Sequence, residues 1–359
     1  MASLLLILGV SKIKALFLRD GLKLSLEETE KPTLKEGHDM IVKVTAASIC
    51  GSDLHFVSGE VPMTPNFIIG HEGVGIVEEV GPFVKNFKPG DRVVIPGGVA
   101  CGTCPECRAG RHYACEKDLM FGAGKNKGDL PGVQAEYTRI PYADNSVVKI
   151  PDSVSFKQAL LVGDVLSTGY IGVTYRPPQP GDDIAVFGCG PVGLCAVASA
   201  KLFSPARLIA VDLEDYRLET ALKMGATHVI NAGEARAARE IRGLTGGVGV
   251  QLSIDAAATP QTIDDCLACT AKGGFISMIG MSPFHVNVAL LKLFYKNLTM
   301  VSGYTSLHEM SRLLKLIEFG KIDVTPLITH EVTLSNILEG YRIFGERLDN
   351  CIKVMVVPD

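Results

Sequence analysis

Two textures of hydrophobic patterning divide the chain. From about Lys14 to Pro151 the apolar residues come in short runs broken by Gly and Pro, as in MIVKVTAASI (40–49), GVGIVEEVG (73–81) and RVVIP (92–96). Short runs of this kind bounded by turn residues predict strands, and several in succession predict an all-β unit of barrel-like form. From Asp182 onward the runs become continuous, at 184–187, 207–211, 228–230, 250–254, 274–279 and 298–302. Continuous apolar runs are the pattern of parallel strands buried on both faces. Helical stretches are predicted between them, near 191–202, 214–224, 234–243 and 260–270. Six strands alternating with helices predict a doubly wound, six-stranded parallel α/β sheet. A last helix is predicted over 306–318, followed by strand-like segments to Val357. This tail lacks the alternation, so it is expected to fold back onto the first unit.

Composition narrows the classes. With 359 residues, 47% hydrophobic and 21% charged, the chain can bury a full core in two or three domains. A net charge of −4 gives no basic field for nucleic acid. No apolar run reaches the roughly 18–20 residues that span a bilayer. The run Leu4–Leu8 inside Met1–Val10 is short and has no basic residue before it, so a short extension or buried first strand is expected rather than a signal peptide. Of ten cysteines, four fall between Cys101 and Cys115 and the rest are scattered. That distribution fits a reduced, cytoplasmic setting with a metal cluster better than a disulfide framework.

Cys101, Cys104, Cys107 and Cys115 spell C-x2-C-x2-C-x7-C in a turn-rich lobe at 97–116. Four thiolates at this spacing can converge on one tetrahedral Zn²⁺ with no position left for water, which makes a structural site. An iron–sulfur cluster is the competing metal. A thioredoxin-type pair fits less well, because it needs one CxxC opening a helix. Upstream lie I-C-G-S-D-L-H (49–55) and G-H-E-G (70–73), and later G-D-V-L-S-T-G-Y (163–170). Cys50, His71 and Asp164 together offer three protein ligands and leave a fourth position open, the layout of catalytic zinc.

These motifs, with G-x-G-x-x-G at 188–193 and the four-cysteine lobe, come in an order that resembles the zinc-dependent medium-chain alcohol dehydrogenase family. The resemblance runs from about Ile13 to the C-terminus. It implies a GroES-like β-barrel catalytic domain over 1–165, a Rossmann domain over 166–303, and a return to the catalytic domain over 304–359. It implies two zinc ions per chain and hydride transfer from a zinc-bound alkoxide to a nicotinamide cofactor. Zinc lowers the pKa of bound water from 15.7 to about 7, and the same drop on an alcohol is roughly 12 kcal/mol. By the same resemblance Ser52 bonds the substrate oxygen, His55 passes the proton outward, and Asp53 orients the His71 ring. Glu72 either enters the metal shell transiently or bonds from behind it.

The glycine turn has the context that a dinucleotide site requires: a strand before it, a helix after it, and an acid ending the next strand. Gly188 makes the turn, Gly190 admits the pyrophosphate, and Gly193 allows close helix–strand packing. Asp212 is placed to accept from both adenosine ribose hydroxyls and to repel a 2′-phosphate, which favours NAD over NADP. Arg217, near the same ribose by resemblance, pulls the other way, and Thr168 is expected against the nicotinamide.

Many members of the family have Cys where this chain has Asp164; secondary alcohol dehydrogenases and glutathione-independent formaldehyde dehydrogenases are similar to it in using Asp. Gly97 stands four residues before the first lobe cysteine, where primary alcohol dehydrogenases often carry bulk. Secondary alcohols and ketones are therefore expected, with Leu166 and Leu119-Met120-Phe121 as apolar walls. Formaldehyde or polyol dehydrogenase chemistry, and a catalytically silent nucleotide-binding relative, are the alternatives. The family further implies a small-molecule substrate and a homodimer or homotetramer. His38, His112, His228, His285, His308 and His330 match no motif and are read as structural or surface residues.

Overall fold

The computed structural model describes residues 11–281, 285–304 and 307–359, so the expectation for Met1–Val10 lies outside the described residues. The N-terminal part builds two main sheets, antiparallel except where Ile328–Thr333 pairs parallel with Lys353–Val357. Lys12–Arg19 pairs with Lys23–Glu30 on one side and with Phe67–Ile68 on the other. The larger sheet runs Val148–Lys149, Arg92–Ile95, Gly73–Val80, Met40–Ser48, Lys353–Val357 and Ile328–Thr333, with Tyr137–Ile140 also pairing with Met40–Ser48. Leu16, Leu18, Met40, Val42, Ile95 and Phe121 meet in the core of this β unit.

The C-terminal strand belongs to that unit. Met355 and Val356 pair antiparallel with Ser48 and Ala47, beside the strand that leads into Cys50. The tail is not strand throughout, however. A helix, Ile337–Gly345, lies between Ile328–Thr333 and Lys353–Val357. Ile337, Tyr341 and Phe344 form its buried stripe at the i, i+4, i+7 spacing of a helix.

The second unit is a six-stranded parallel sheet in the order His228–Asn231, Arg207–Asp212, Asp183–Phe187, Val250–Asp255, Thr270–Met278, Thr299–Ser302. Chain order reverses between Asp183–Phe187 and Val250–Asp255, and ligands of open α/β sheets bind at such a switch point. The helices Pro191–Lys201, Asp215–Met224, Ala237–Leu244 and Pro260–Cys269 fall where the sequence pattern puts them. The fifth strand begins at Thr270 rather than 274; a register shift between Val250 and Leu252 of its neighbour absorbs the extra residues. The last predicted helix starts at Glu309, three residues later than expected. No helix of the described residues is long and apolar enough to cross a membrane.

Candidate active site

Cys50 leaves the strand Met40–Ser48 and precedes the helix Gly51–Ser58. Its backbone N–H donates to Asp53 Oδ2 at 3.0 Å, which fixes the first turn. His71 follows Gly70, whose φ of +98° no other residue adopts readily; a Cβ there would lie 2.5 Å from Gln134 Cγ. Asp164 opens the helix Val165–Thr174. The three arrive together: Asp164 Oδ2 is 3.8 Å from Cys50 Sγ and 3.7 Å from His71 Nε2. With Glu72 they form one group whose ligand atoms all lie within 4.8 Å of one another. Ser52 Oγ is 3.1 Å from His71 Nε2, so its hydroxyl stands at the edge of the cluster. His55, one turn further along the helix, points to Glu60.

Two buried networks hold this cluster from behind. On one side Asp53 Oδ1 is 3.2 Å from His71 Nδ1. Gln134 Nε2 donates to Asp53 Oδ2 at 3.2 Å, and Tyr341 Oη donates to Gln134 Oε1 at 2.8 Å. On the other side Lys353 Nζ donates to both Glu72 oxygens, at 2.8 and 2.7 Å, and Ser48 Oγ donates to Glu72 Oε2. Lys353 and Glu72 are both wholly buried.

The electrostatics of the pocket call for a cation. Burial, reinforced by the Glu72 charge, pushes the Asp164 carboxyl up to about 6, and burial raises the Cys50 thiol above its ordinary value. Burial opposes the charged form of His71 too, but Asp53 and Cys50 outweigh it and hold the imidazole well above its usual range. Burial also works against ionised Glu72, yet Lys353 and His71 keep it below the usual carboxylate range. One thiol, one imidazole and one carboxylate converging here could hold a metal ion, and the donor set fits a zinc with an open position.

The cysteine lobe is a second cluster. The sulfurs of Cys101, Cys104, Cys107 and Cys115 lie within 4.8 Å of one another, and all ten cysteines are free. Backbone N–H groups of Cys101, Cys104 and Cys107 donate to the sulfurs of Cys115, Cys101 and Cys104, each at 3.4 Å. Such bonds stabilise thiolates. Burial works against the Cys101 thiolate, but hydrogen bonds from Thr103 and Cys104 bring that thiol down to about 6. Neither cluster includes His38, His112, His228, His285, His308 or His330.

The glycine turn adjoins the first cluster through helix packing. The helix that starts after Asp164 crosses Pro191–Lys201 at Gly169, where a Cβ would lie 2.6 Å from Ala196 N. Gly188 has φ +86°, and a Cβ on Gly193 would stand 1.7 Å from Gly188 O. A Cβ on Gly190 would meet nothing within 4 Å, so that face of the turn is open to a ligand. Asp212 Oδ2 accepts from Cys189 N at 2.5 Å, and Oδ1 accepts from Leu213 N and Glu214 N at 2.8 and 3.0 Å. Arg217 is 4.0 Å from Asp212 and donates from Nε to Tyr216 Oη at 3.0 Å. Thr168 Oγ1 lies 3.5 Å from Asp164 Oδ1.

Known proteins match this arrangement along nearly its whole length. The alcohol dehydrogenase GroES-like domain family matches residues 36–152, and the zinc-binding dehydrogenase family matches residues 191–318. The chain is 33% identical to an alcohol dehydrogenase of Cupriavidus necator, over 96% of this chain and 98% of that one. It is 35% identical to a sorbitol dehydrogenase of Bacillus subtilis, over 97% and 98%. The alcohol dehydrogenase TADH of Thermus sp. ATN1 superposes with a TM-score of 0.92 at 34% identity, over 96% of this chain and all of that one. The chain belongs to the zinc-dependent medium-chain alcohol dehydrogenase family. It is an oxidoreductase with a GroES-like domain and a Rossmann domain, acting on small-molecule alcohols with zinc.

Within this dehydrogenase two expected walls are placed elsewhere. Phe121 is fully buried in the core of the β unit and Leu166 in the core shared with the Rossmann helices, so neither faces an open pocket. Leu119 and Met120 keep partial exposure. A Cβ on Gly97 would lie 3.7 Å from Asp164 Oδ1 and 3.8 Å from His71 Cδ2, which puts this residue at the rim of the metal pocket. Sequence reasoning missed Ser48, Gln134, Tyr341 and Lys353. One of them carried a signal: Lys353 is a lone charge in an apolar run, CIKVMVV, and a buried cation must have a partner.

Proposed function

We propose that this dehydrogenase interconverts secondary alcohols and ketones with NAD as hydride carrier, using a catalytic zinc on Cys50, His71 and Asp164 and a structural zinc on Cys101, Cys104, Cys107 and Cys115. The observation that carries the substrate class is Gly97. Any side chain there would project to within van der Waals contact of Asp164 and His71, so glycine leaves room for a second substituent on the carbinol carbon. The names of relatives agree in chemistry: a solved relative from Bacillus subtilis, 25% identical, is a 2R,3R-butanediol dehydrogenase, and both butanediol hydroxyls are secondary.

When bound, zinc supplies the Lewis acidity that makes a substrate hydroxyl acidic and polarises a carbonyl. The rest falls to side chains. Asp53, held by Gln134 and Tyr341, orients the His71 ring. Ser52 Oγ, at the edge of the cluster, would accept the substrate hydroxyl's proton while giving up its own, which would pass through the cofactor ribose to His55, held by Glu60, and out to solvent. Thr168, one turn into the helix that starts at Asp164, packs against the nicotinamide.

The family accommodates both nicotinamide cofactors: a Sinorhizobium meliloti relative, 25% identical, is bound to NADP and an E. coli relative, 27% identical, to NADH. The choice is therefore made at Asp212. Its carboxylate is clamped by three backbone N–H groups, and a 2′-phosphate beside it would meet a fixed negative charge. Arg217 donates from Nε to Tyr216 but keeps Nη1 4.0 Å from Asp212, the feature here that pulls toward a phosphate. Ten free cysteines support a cytoplasmic setting.

Initial rates with paired NAD and NADP test the cofactor assignment. The expected result is kcat/KM at least tenfold higher with NAD, and Asp212→Ser narrowing that ratio at least tenfold. An NADP preference in the native enzyme would overturn it.

A further inference from the structure

Glu72 sits where it can close the site that the other three ligands leave open. Its carboxylate belongs to the same convergent group as Cys50, His71 and Asp164. A zinc ion with four protein ligands is a closed, structural site. What opposes that outcome is a pair of donors. Lys353 Nζ bonds both carboxylate oxygens, and Ser48 Oγ bonds one of them.

We propose that Lys353 is a positioning residue that holds the Glu72 carboxylate back from the metal's open position, so that the position stays available to a substrate oxygen. The proposal rests on the reading of Cys50, His71 and Asp164 as ligands of a catalytic zinc.

The sheet register fixes the restraint. Lys353 begins the strand Lys353–Val357, which pairs through Met355 with Ser48. Ser48 N in turn donates to the Glu72 carbonyl at 3.1 Å, and Ile49 N to Val354 O at 3.2 Å. Ammonium, hydroxyl and carboxylate are thus presented by three neighbouring backbones that these hydrogen bonds tie together, Glu72 from the residue just before the strand Gly73–Val80. Charge counting points the same way. Zinc with ionised Cys50, Asp164 and Glu72 carries −1 in a buried pocket, the buried Asp53 carboxylate adds to that negative charge, and Lys353 offsets one unit of it. Without the ammonium, the carboxylate has one cation left to approach, the metal itself, because a buried unpaired charge is costly.

The test uses the holoenzyme with Co(II) exchanged into the catalytic site and imidazole as a monodentate probe of the open position, read by visible absorption. Zinc retention is read separately by chelator competition. In the native enzyme imidazole is expected to shift the Co(II) bands. In Lys353→Met the catalytic metal is expected to be held at least as tightly, while the imidazole concentration for half-shift rises at least tenfold. Lys353→Met/Glu72→Gln is expected to restore the native response to within about threefold. Ser48→Ala, which cuts the weaker tether, is expected to raise the half-shift concentration severalfold and keeps the proposal testable if Lys353→Met does not fold. An imidazole response unchanged in Lys353→Met, or in Ser48→Ala where that variant alone folds, would overturn the proposal. So would loss of the catalytic metal in Lys353→Met that Glu72→Gln does not alter. A native enzyme that takes up only one metal ion would instead sink the underlying ligand assignment.

Discussion

At the scale of single residues, the most demanding position is Gly193. A methyl group there would overlap the Gly188 carbonyl at 1.7 Å, and a backbone oxygen inside a tight turn cannot step aside as a side-chain tip can. Gly193→Ala is therefore expected to cost about 1–3 kcal/mol of stability by overpacking and to weaken NADH binding at least tenfold. Fluorescence titration with NADH, alongside a thermal melt, checks both; native affinity in a folded variant would contradict it. Gly97 makes a different prediction, because a Cβ there would meet Asp164 and His71 only at ordinary van der Waals distance. Gly97→Leu should keep the fold but lower kcat/KM for a secondary alcohol by about 10–200-fold relative to its primary isomer, the range that hydrophobic pocket contacts provide. Residues such as these were legible in the sequence because their partners are close along the chain: Gly188 to Gly193, or Asp212 after the next strand. Gln134, Tyr341 and Lys353 were not. They meet Asp53, Gln134 and Glu72 across 81, 207 and 281 residues, and no local spacing announces a side-chain contact between elements that far apart in the chain.

At the scale of elements, the cysteine lobe is a self-contained device. Its four sulfurs come from one 15-residue stretch and form their own buried cluster with Ala100, so the lobe has little apolar packing to stand on without metal. Cys104→Ala opens the tetrahedron and should reduce zinc from two ions per chain to one, with a lower melting temperature. Elemental analysis and calorimetry read the two effects; two zinc ions retained in that variant would contradict the structural role. The lobe was legible because metal spacing is a local property. The helix Ile337–Gly345 was not, although its apolar stripe is helical. Gly340 in its middle and Gly345 at its end lower intrinsic helix propensity. The reason for Gly340 is tertiary: a Cβ there would press within 3.0 Å of Val332 Cγ2 and 3.2 Å of Ile49 Cδ1. Close packing over the strand that leads to Cys50 requires the residue that hides the helix from a sequence reading.

At the scale of the whole molecule, the Rossmann sheet ends in a strand with one open edge among the described residues. Thr299–Ser302 has a single neighbour in the sheet among the described residues. Beside it Leu290, Leu291, Phe294 and Tyr295 are exposed by 65–74%. An open strand edge next to exposed aromatic and aliphatic side chains is an aggregation hazard unless something covers it. The homodimer or homotetramer that the family resemblance implies would cover it if a second copy of the chain sat against this edge. Light scattering should give at least a dimer, and Phe294→Glu with Leu291→Glu should shift it toward monomer; a native monomer at micromolar concentration would contradict this. The two-unit plan itself was legible from the change in hydrophobic texture near Asp182, since strand period and βα alternation are properties of patterning.

We read the chain as a zinc-dependent secondary alcohol dehydrogenase. Its most direct test is NADH formation by protein shown to hold two zinc ions, on 2-butanol against 1-butanol. Turnover is expected, with kcat/KM at least tenfold higher for the secondary alcohol. Two zinc ions with no turnover of either alcohol, or a preference for 1-butanol, would contradict it.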